Sequence, residues 1–151
     1  MYLATVEIKE SPINGKGVFT LSKIHRGDII WKFDSAYDKT ISIEEFEKLK
    51  ENDKTESKRV AYLSATTNRY VYPPENDAAR FTNHSDDNNL SVHIDQQISE
   101  EPYFIANRDI DIGEELTNNY LEFDDAIQNN VLSWMKWVLV SRSRQTAKYI
   151  E

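Results

Sequence analysis

The sequence contains no cysteine and only three histidines, His25, His84 and His93. Without cysteine the chain forms no disulfide and offers no thiolate ligand to a metal ion. Three histidines leave little for a histidine-rich metal site either. We therefore expect chemistry that proceeds without a bound metal.

Excess positive charge and long apolar runs are missing as well. The 18 basic and 26 acidic side chains give a formal net charge of −8, which argues against direct nucleic-acid binding. The same acidity suits a basic partner such as a lysine-rich peptide, although solubility explains it at least as well. No window reaches the ~18 apolar residues of a membrane span, and residues 1–7 lack the pattern of a signal peptide. We expect a cytoplasmic protein without membrane association, and the oligomeric state is left open.

The sequence does contain a series of short apolar runs separated by turn residues. A length of 151 residues fits a single domain. The runs alternate apolar and polar residues or are rich in β-branched and aromatic ones, which favours strands. Strands are predicted at 6–8, 18–21, 29–33, 69–72, 90–94 and 102–106. This pattern favours a mainly β or α+β domain over repeated βαβ units.

Two regions have helical spacing instead. Ser42 followed by Glu45 matches a capping box, which predicts the start of a helix. The charged stretch 50–59 is interpreted as a helix end and loop, and 60–63 as a short helix. A long C-terminal helix is predicted to begin at Asp124 or Asp125. Its apolar face recurs at helical spacing, at Ile127, Val131, Trp134 and Val138.

Four motifs follow one another along the chain. They are Gly15-Lys16-Gly17-Val18-Phe19, Arg26-Gly27-Asp28-Ile29-Ile30, Arg80-Phe81-Thr82-Asn83-His84-Ser85 and Gly113-Glu114-Glu115-Leu116-Thr117-Asn118-Asn119-Tyr120. A single Gly-x-Gly is weak evidence and, taken alone, indicates a hairpin turn. In this order, however, the four motifs resemble the SET domain of protein-lysine methyltransferases, over about residues 6–120.

The resemblance implies a β-clip, or SET, fold. Such a fold consists of small curved β-sheets with a C-terminal pseudoknot, and the helical segment at about 36–69 would be the family's variable insertion. Residues 1–123 would form the SET domain. The C-terminal helix and basic tail, 124–151, would belong to the same globular unit and replace the zinc-binding cysteines that follow many SET domains.

The resemblance also implies methyl transfer from S-adenosyl-L-methionine to the side-chain amine of a lysine in a protein substrate. Tyr120 falls at the catalytic tyrosine, with an orienting and electrostatic role, because a phenol with a pKa of about 10 is a poor base near neutrality. The cofactor-binding positions would be Gly15, Lys16, Gly17, Arg80, Phe81, Asn83 and His84, with Phe123, Trp134 or Trp137 covering the adenine. The lysine channel would be lined by Phe33, Tyr72 and Asn118, with Tyr70 as a further candidate. Outside the resemblance, Phe33, Tyr70 and Tyr72 are at least as well explained as core residues.

Several positions depart from the family pattern. Asp86 and Asn88 replace a cysteine and a proline, Asn119 replaces an aspartate, and Asn118 replaces an aromatic residue. Two alternatives therefore stay open, a SET-like module that binds peptides without turnover and a methyltransferase acting on a small amine. The tail 142–148 is similar to the methylated amino-terminal tail of a core histone, which raises automethylation at Lys148 as a hypothesis.

Asn83 and His84 stand at one end of the segment 79–120, and Tyr120 at the other. The strands predicted between them would fold the chain back on itself. We therefore expect these two polar stretches to meet, with the cofactor between them.

Overall fold

The computed structural model describes residues 1–124. They form ten strands, two α-helices and short 3-10 turns. In chain order the regular elements are β1 (Val6–Glu10), β2 (Lys16–Thr20), β3 (Ile29–Trp31), β4 (Lys39–Ser42), α1 (Ile43–Glu47), α2 (Glu51–Val60), β5 (Tyr62–Leu63), β6 (Arg69–Tyr72), β7 (Asn83–His84), β8 (Leu90–His93), β9 (Tyr103–Ala106) and β10 (Glu115–Asn118). The mainly β architecture expected from the sequence is confirmed.

The larger sheet has seven strands in the order β1-β2-β10-β8-β9-β3, with β7 also paired to β10. β10 is antiparallel to β2, with Leu116 opposite Val18. It is parallel to β7 and β8, where Asn118 lies opposite both His84 and Leu90. The last described strand therefore lies inside the sheet, next to strands that come from distant parts of the sequence.

The smaller sheet, β4-β6-β5, carries the predicted helical insertion. The capping box is confirmed, since the Ser42 hydroxyl accepts from the backbone of Glu45 while the Glu45 carboxylate accepts from the backbone of Ser42. Phe46 of α1 stacks on Tyr70 of β6 with ring centroids 4.0 Å apart. Both rings are almost fully buried, so α1 is held by packing as well as by its cap.

Three sequence-based boundaries are corrected. The charged stretch predicted to be a helix end and loop is the ten-residue helix α2. Residues 60–63 are not a short helix, because α2 ends at Val60 and Tyr62–Leu63 pair with β6. β3 ends at Trp31, two residues earlier than predicted, and the chain then turns, with the backbone N–H groups of Tyr37 and Asp38 bonded to the carbonyl of Asp34.

The main core combines residues of both sheets, since Tyr62 and Val71 of the smaller sheet belong to it. It contains Val18, Ile30, Leu90, Ile110 and Leu116, all nearly inaccessible to solvent. Neither helix in residues 1–124 has the length and apolar character required to cross a membrane. The predicted C-terminal helix, the candidates Trp134 and Trp137, and the histone-like tail lie outside the described residues.

Candidate functional site

Tyr120 lies at the end of β10, in a 3-10 turn that the Asn119 side chain caps by accepting from the backbone of Leu121. The Tyr120 backbone N–H donates to Nδ1 of His84 at 3.2 Å. Its hydroxyl donates to the backbone carbonyl of Thr82 at 2.8 Å. The two polar stretches therefore meet, because residues 82–84 contact both the backbone and the hydroxyl of Tyr120.

The buried side chain of Asn83 connects this region to the glycine-containing loop. Its amide nitrogen lies 3.2 Å from the carbonyl of Asn14, 3.0 Å from the carbonyl of Lys16 and 2.8 Å from Oε1 of Glu115. The hydroxyl of Ser11 donates to the same carboxylate at 2.8 Å. Asn83 therefore fixes residues 11–16 against β10 through its own side chain.

The two glycines of this loop are needed for different reasons. Gly15 has a φ of +49°, a left-handed conformation that residues with a Cβ adopt at a cost. Gly17 has no such angle, but a Cβ there would collide with the carboxylate of Glu115 and press on the side chain of Ser11. The loop thus lies directly on the Glu115 side chain.

A small, partly open cleft of about 70 Å³ lies beside Tyr120. Much of its wall is aromatic. The aromatic residues are Tyr2, Trp31, Tyr62, Phe104, Tyr120 and Phe123. The Phe123 ring packs edge-on against Tyr62, Phe104 and Tyr120, with centroids 5.3, 4.9 and 6.0 Å away. Such a wall favours a ligand with apolar surface or a soft positive charge.

Three buried polar atoms of the cleft-lining residues have no hydrogen-bond partner within residues 1–124. They are Nε1 of Trp31, the hydroxyl of Tyr62 and Oδ1 of Asn118. Leaving a buried donor or acceptor unpaired costs about 1–3 kcal/mol, so native proteins rarely do it without a reason. A polar ligand in the cleft would give these groups partners.

The charges around the cleft are of both signs. Arg59 and Arg80 line it, and Nε of Arg80 donates to the carbonyls of Pro73 and Pro74. Burial raises the pKa of the Tyr62 hydroxyl well above its usual value, and the carboxylates of Glu101, Asp38 and Asp124 raise it further. The Tyr62 hydroxyl therefore stays neutral at physiological pH.

The sequence-predicted site residues are only partly brought together. Tyr120, Asn118, Arg80 and Phe123 line the cleft. Asn83 and His84 lie beside it in β7. Gly15, Lys16 and Gly17 are connected to β7 indirectly, because the Asn83 amide nitrogen donates to the carbonyl of Lys16. Phe81 packs against the main core.

Phe33 and Tyr72 are not among the described residues that line the cleft. Phe33 is buried in the main core and borders a shallow polar groove with Gln97 and Ser99. The early end of β3 explains this, because Phe33 no longer continues the alternation that places Trp31 in the cleft. Tyr72 packs against a second, smaller cluster of buried residues, which contains Phe46, Ala61, Leu63 and Tyr70.

Most of the residues that line the cleft were not predicted from the sequence, among them Tyr2, Trp31, Tyr62 and Thr82. Trp31 falls in a predicted strand and Thr82 in one of the four motifs, so the neighbouring residues carry a local signal for these two positions. Tyr2 and Tyr62 have no distinguishing local pattern. Within residues 1–124 there is no cluster of histidine and carboxylate side chains arranged for a metal ion.

Comparisons with known proteins agree with this architecture. The family model described as the SET domain matches residues 15–121, more than half of the chain. A Plasmodium falciparum protein described as a candidate histone methyltransferase superposes with a TM-score of 0.54 at 22% identity, covering 78% of this chain and 93% of the other.

A humanized mutant of the Chaetomium thermophilum Polycomb Repressive Complex 2, bound to an inhibitor, gives a TM-score of 0.57 at 24% identity. This match covers 80% of the present chain and 15% of the longer one. At these identities both likenesses concern the fold, and no curated protein sequence matches significantly. The family match and the shared fold together identify the chain as a member of the SET domain family.

Proposed function

We propose that this protein transfers a methyl group from S-adenosyl-L-methionine to the side-chain amine of a lysine in a protein substrate. The observation that carries the proposal is the position of Tyr120, which lines an aromatic cleft while its backbone is held by His84 and its hydroxyl by Thr82. Membership of the SET domain family supports the same conclusion.

The residues around the cleft fit a sulfonium cofactor. Aromatic faces attract positively charged sulfonium and ammonium groups, and six aromatic side chains line the cleft. Polar atoms of Trp31, Tyr62 and Asn118 that have no hydrogen-bond partner in the described part of the chain offer both donor and acceptor capacity. When bound, the cofactor supplies an electrophilic methyl group on a positively charged sulfur.

The Gly15–Gly17 loop, Arg80, His84 and Phe123 are the residues that would hold the cofactor. The Asn83 amide nitrogen is already engaged with Asn14, Lys16 and Glu115. Asn83 would therefore act by fixing the loop backbone in place, rather than by reading a cofactor group with that nitrogen.

The lysine must reach the reaction as a neutral amine. A free lysine has a pKa near 10.4, so deprotonation at pH 7 costs about 4–5 kcal/mol. A cleft with apolar walls disfavours the charged ammonium and reduces this cost. Tyr120, fixed at its backbone and its hydroxyl, would orient the amine for in-line approach rather than remove its proton.

The acidity of the chain supports a basic protein or peptide as substrate. A formal net charge of −8 attracts lysine-rich partners and speeds their association at low salt. Methyl transfer to such a substrate should therefore slow as ionic strength rises.

Two measurements test the proposal. Calorimetry with S-adenosyl-L-methionine should show binding, and incubation with isotopically labelled cofactor and a lysine-rich protein mixture should label lysine. Absence of cofactor binding would refute it. Binding without any transfer would favour the peptide-binding module, which the Asn118 departure from an aromatic residue supports. Transfer to small amines but to no protein would favour the small-amine enzyme.

A further inference from the structure

Tyr2 reaches the cleft from a part of the chain that precedes the family match at 15–121. Residues 1–3 run along the free edge of β3. The backbone N–H of Leu3 donates to the carbonyl of Ile30 at 2.8 Å, and the N–H of Lys32 donates to the carbonyl of Met1 at 3.2 Å. Tyr2 is thus placed opposite Trp31 by backbone pairing on both sides.

The hydroxyl of Tyr2 makes a hydrogen bond of 2.6 Å with Oγ1 of Thr82, in which either group can be the donor. The backbone carbonyl of the same threonine accepts the hydroxyl of Tyr120 at 2.8 Å. Thr82 is itself buried. One residue therefore contacts both tyrosine hydroxyls, through its side chain on one side and its carbonyl on the other.

We propose that Tyr2 is a positioning residue, which holds Thr82 and through it fixes the hydroxyl of Tyr120 in the cleft. The kinetic part of this inference rests on the proposed methyl transfer, whereas the structural part does not. Thr82 follows a short 3-10 turn, Ala78–Phe81, and its backbone N–H donates to the carbonyl of Ala79 with a nitrogen–oxygen distance of 3.3 Å. The local backbone thus holds Thr82 weakly, and the contact with Tyr2 supplies a second anchor.

Tyr2 acts as a neutral group. Burial raises the pKa of its hydroxyl above the usual value, and Asp77 and Tyr120 raise it further, while the bond with Thr82 opposes them. The hydroxyl therefore keeps its proton throughout the range in which enzymes are assayed. Removing the hydroxyl should lower kcat and leave the shape of the pH–rate profile unchanged.

The kinetic test compares Tyr2→Phe, Thr82→Val and Thr82→Ser. Loss of one neutral hydrogen bond at this position should lower kcat about 3- to 10-fold in Tyr2→Phe and in Thr82→Val. The KM values for cofactor and peptide should stay within about twofold. Thr82→Ser keeps the hydroxyl and should retain most of the rate, and Tyr37→Phe, at an exposed tyrosine, is the matched control.

The double variant Tyr2→Phe/Thr82→Val shows whether the two groups act as a unit. We expect its kcat to equal that of the slower single variant, since both changes remove the same contact. Multiplied losses, or an unchanged kcat in Tyr2→Phe, would overturn the inference.

A readout independent of turnover separates this inference from the proposed function. With ¹³Cζ-labelled tyrosine, the resonance of Tyr120 is assigned by its disappearance in Tyr120→Phe. It should shift or broaden in Tyr2→Phe and in Thr82→Val but not in Tyr37→Phe. An unmoved Tyr120 resonance would overturn the positioning role even in an active enzyme, and a moved one would support it even in a protein that methylates nothing.

Discussion

The imidazole of His84 and the backbone of Tyr120 are joined across 36 residues of sequence, with the Tyr120 N–H donating to Nδ1 at 3.2 Å. Their rings lie 5.2 Å apart, and Asn118 stands opposite His84 in the parallel pairing of β10 with β7. The position of Tyr120 is therefore set by tertiary structure rather than by the local turn. This geometry allows the tyrosine to be tested without disturbing its backbone anchor.

Tyr120→Phe removes the hydroxyl that donates to Thr82 and leaves the backbone bond to His84 in place. We expect turnover to fall by about 100-fold, the loss typical of one preorganised polar group at a reacting centre. Cofactor affinity by calorimetry should change less than about threefold. Unchanged turnover would contradict the role assigned to Tyr120, and Tyr37→Phe again serves as the control.

Gly17→Ala should destabilise the protein because its Cβ would displace the Glu115 carboxylate from Ser11 and Asn83. We expect a loss of about 1–3 kcal/mol in the free energy of unfolding, measured by denaturant titration. Removing the opposing carboxylate should relieve most of the collision and leave only the contact with Ser11, so Gly17→Ala should cost less stability in the Glu115→Ala background than in the wild type.

The control for this coupling is Gly27→Ala. Gly27 has a φ of +92°, and no atom lies within 4 Å of the position of its Cβ. This variant should lose stability through backbone strain alone, and adding Glu115→Ala should change its stability by the same amount as in the wild type. Additive losses in the Gly17 pair would show that the glycine is not required by Glu115.

Local patterns predicted much of this fold. The strands around Val18, Ile29 and Leu90 were found because short alternating runs lie between turn residues. The Ser42–Glu45 capping box is predictable for a similar reason, since both partners lie within one helical turn. These features depend on neighbours in sequence and are therefore visible without a structure.

The remainder depends on contacts between distant residues. β5 has two residues, too few for any periodicity, and it follows directly on the charged helix α2, so the sequence predicts a helix there. β10 pairs with β2 on one side and β7 on the other, and the hydroxyl of Tyr2 bonds to Thr82. Both are contacts between residues far apart in sequence, so no local pattern encodes them. The motif order suggested that a site exists, but only the tertiary contacts show which aromatic rings line it.

Glu114 should contribute stability that is lost in acid. Its carboxylate pairs with the guanidinium of Arg108 at 2.8 and 3.1 Å and accepts the backbone N–H of Asp111. These contacts, led by Arg108, lower the pKa of Glu114 below its usual value. A lowered folded-state pKa stabilises the protein above the unfolded-state value of about 4.5, and this contribution disappears as pH falls through the folded-state pKa.

The test compares the wild type with Glu114→Gln. At pH 7 the variant should be less stable by no more than about 1 kcal/mol, because the pair is a third to a half exposed and water screens it. The difference should shrink as the pH is lowered from about 6 to 3. A difference that stays constant with pH would contradict the assignment.

Tyr62→Phe should separate stability from ligand binding. The Tyr62 hydroxyl is buried and has no hydrogen-bond partner within residues 1–124, while its ring packs edge-on against Phe123. Phenylalanine keeps the ring contact and removes a polar group whose burial is uncompensated. The ligand-free protein should therefore gain about 1 kcal/mol in the free energy of unfolding.

If the hydroxyl of Tyr62 bonds a ligand in the cleft, the affinity of Tyr62→Phe for that ligand should fall about 5- to 10-fold. Denaturant titration measures the first effect and calorimetry with cofactor and peptide the second. A loss of stability would show that the hydroxyl is already paired, and unchanged affinity for both ligands would show that neither uses it.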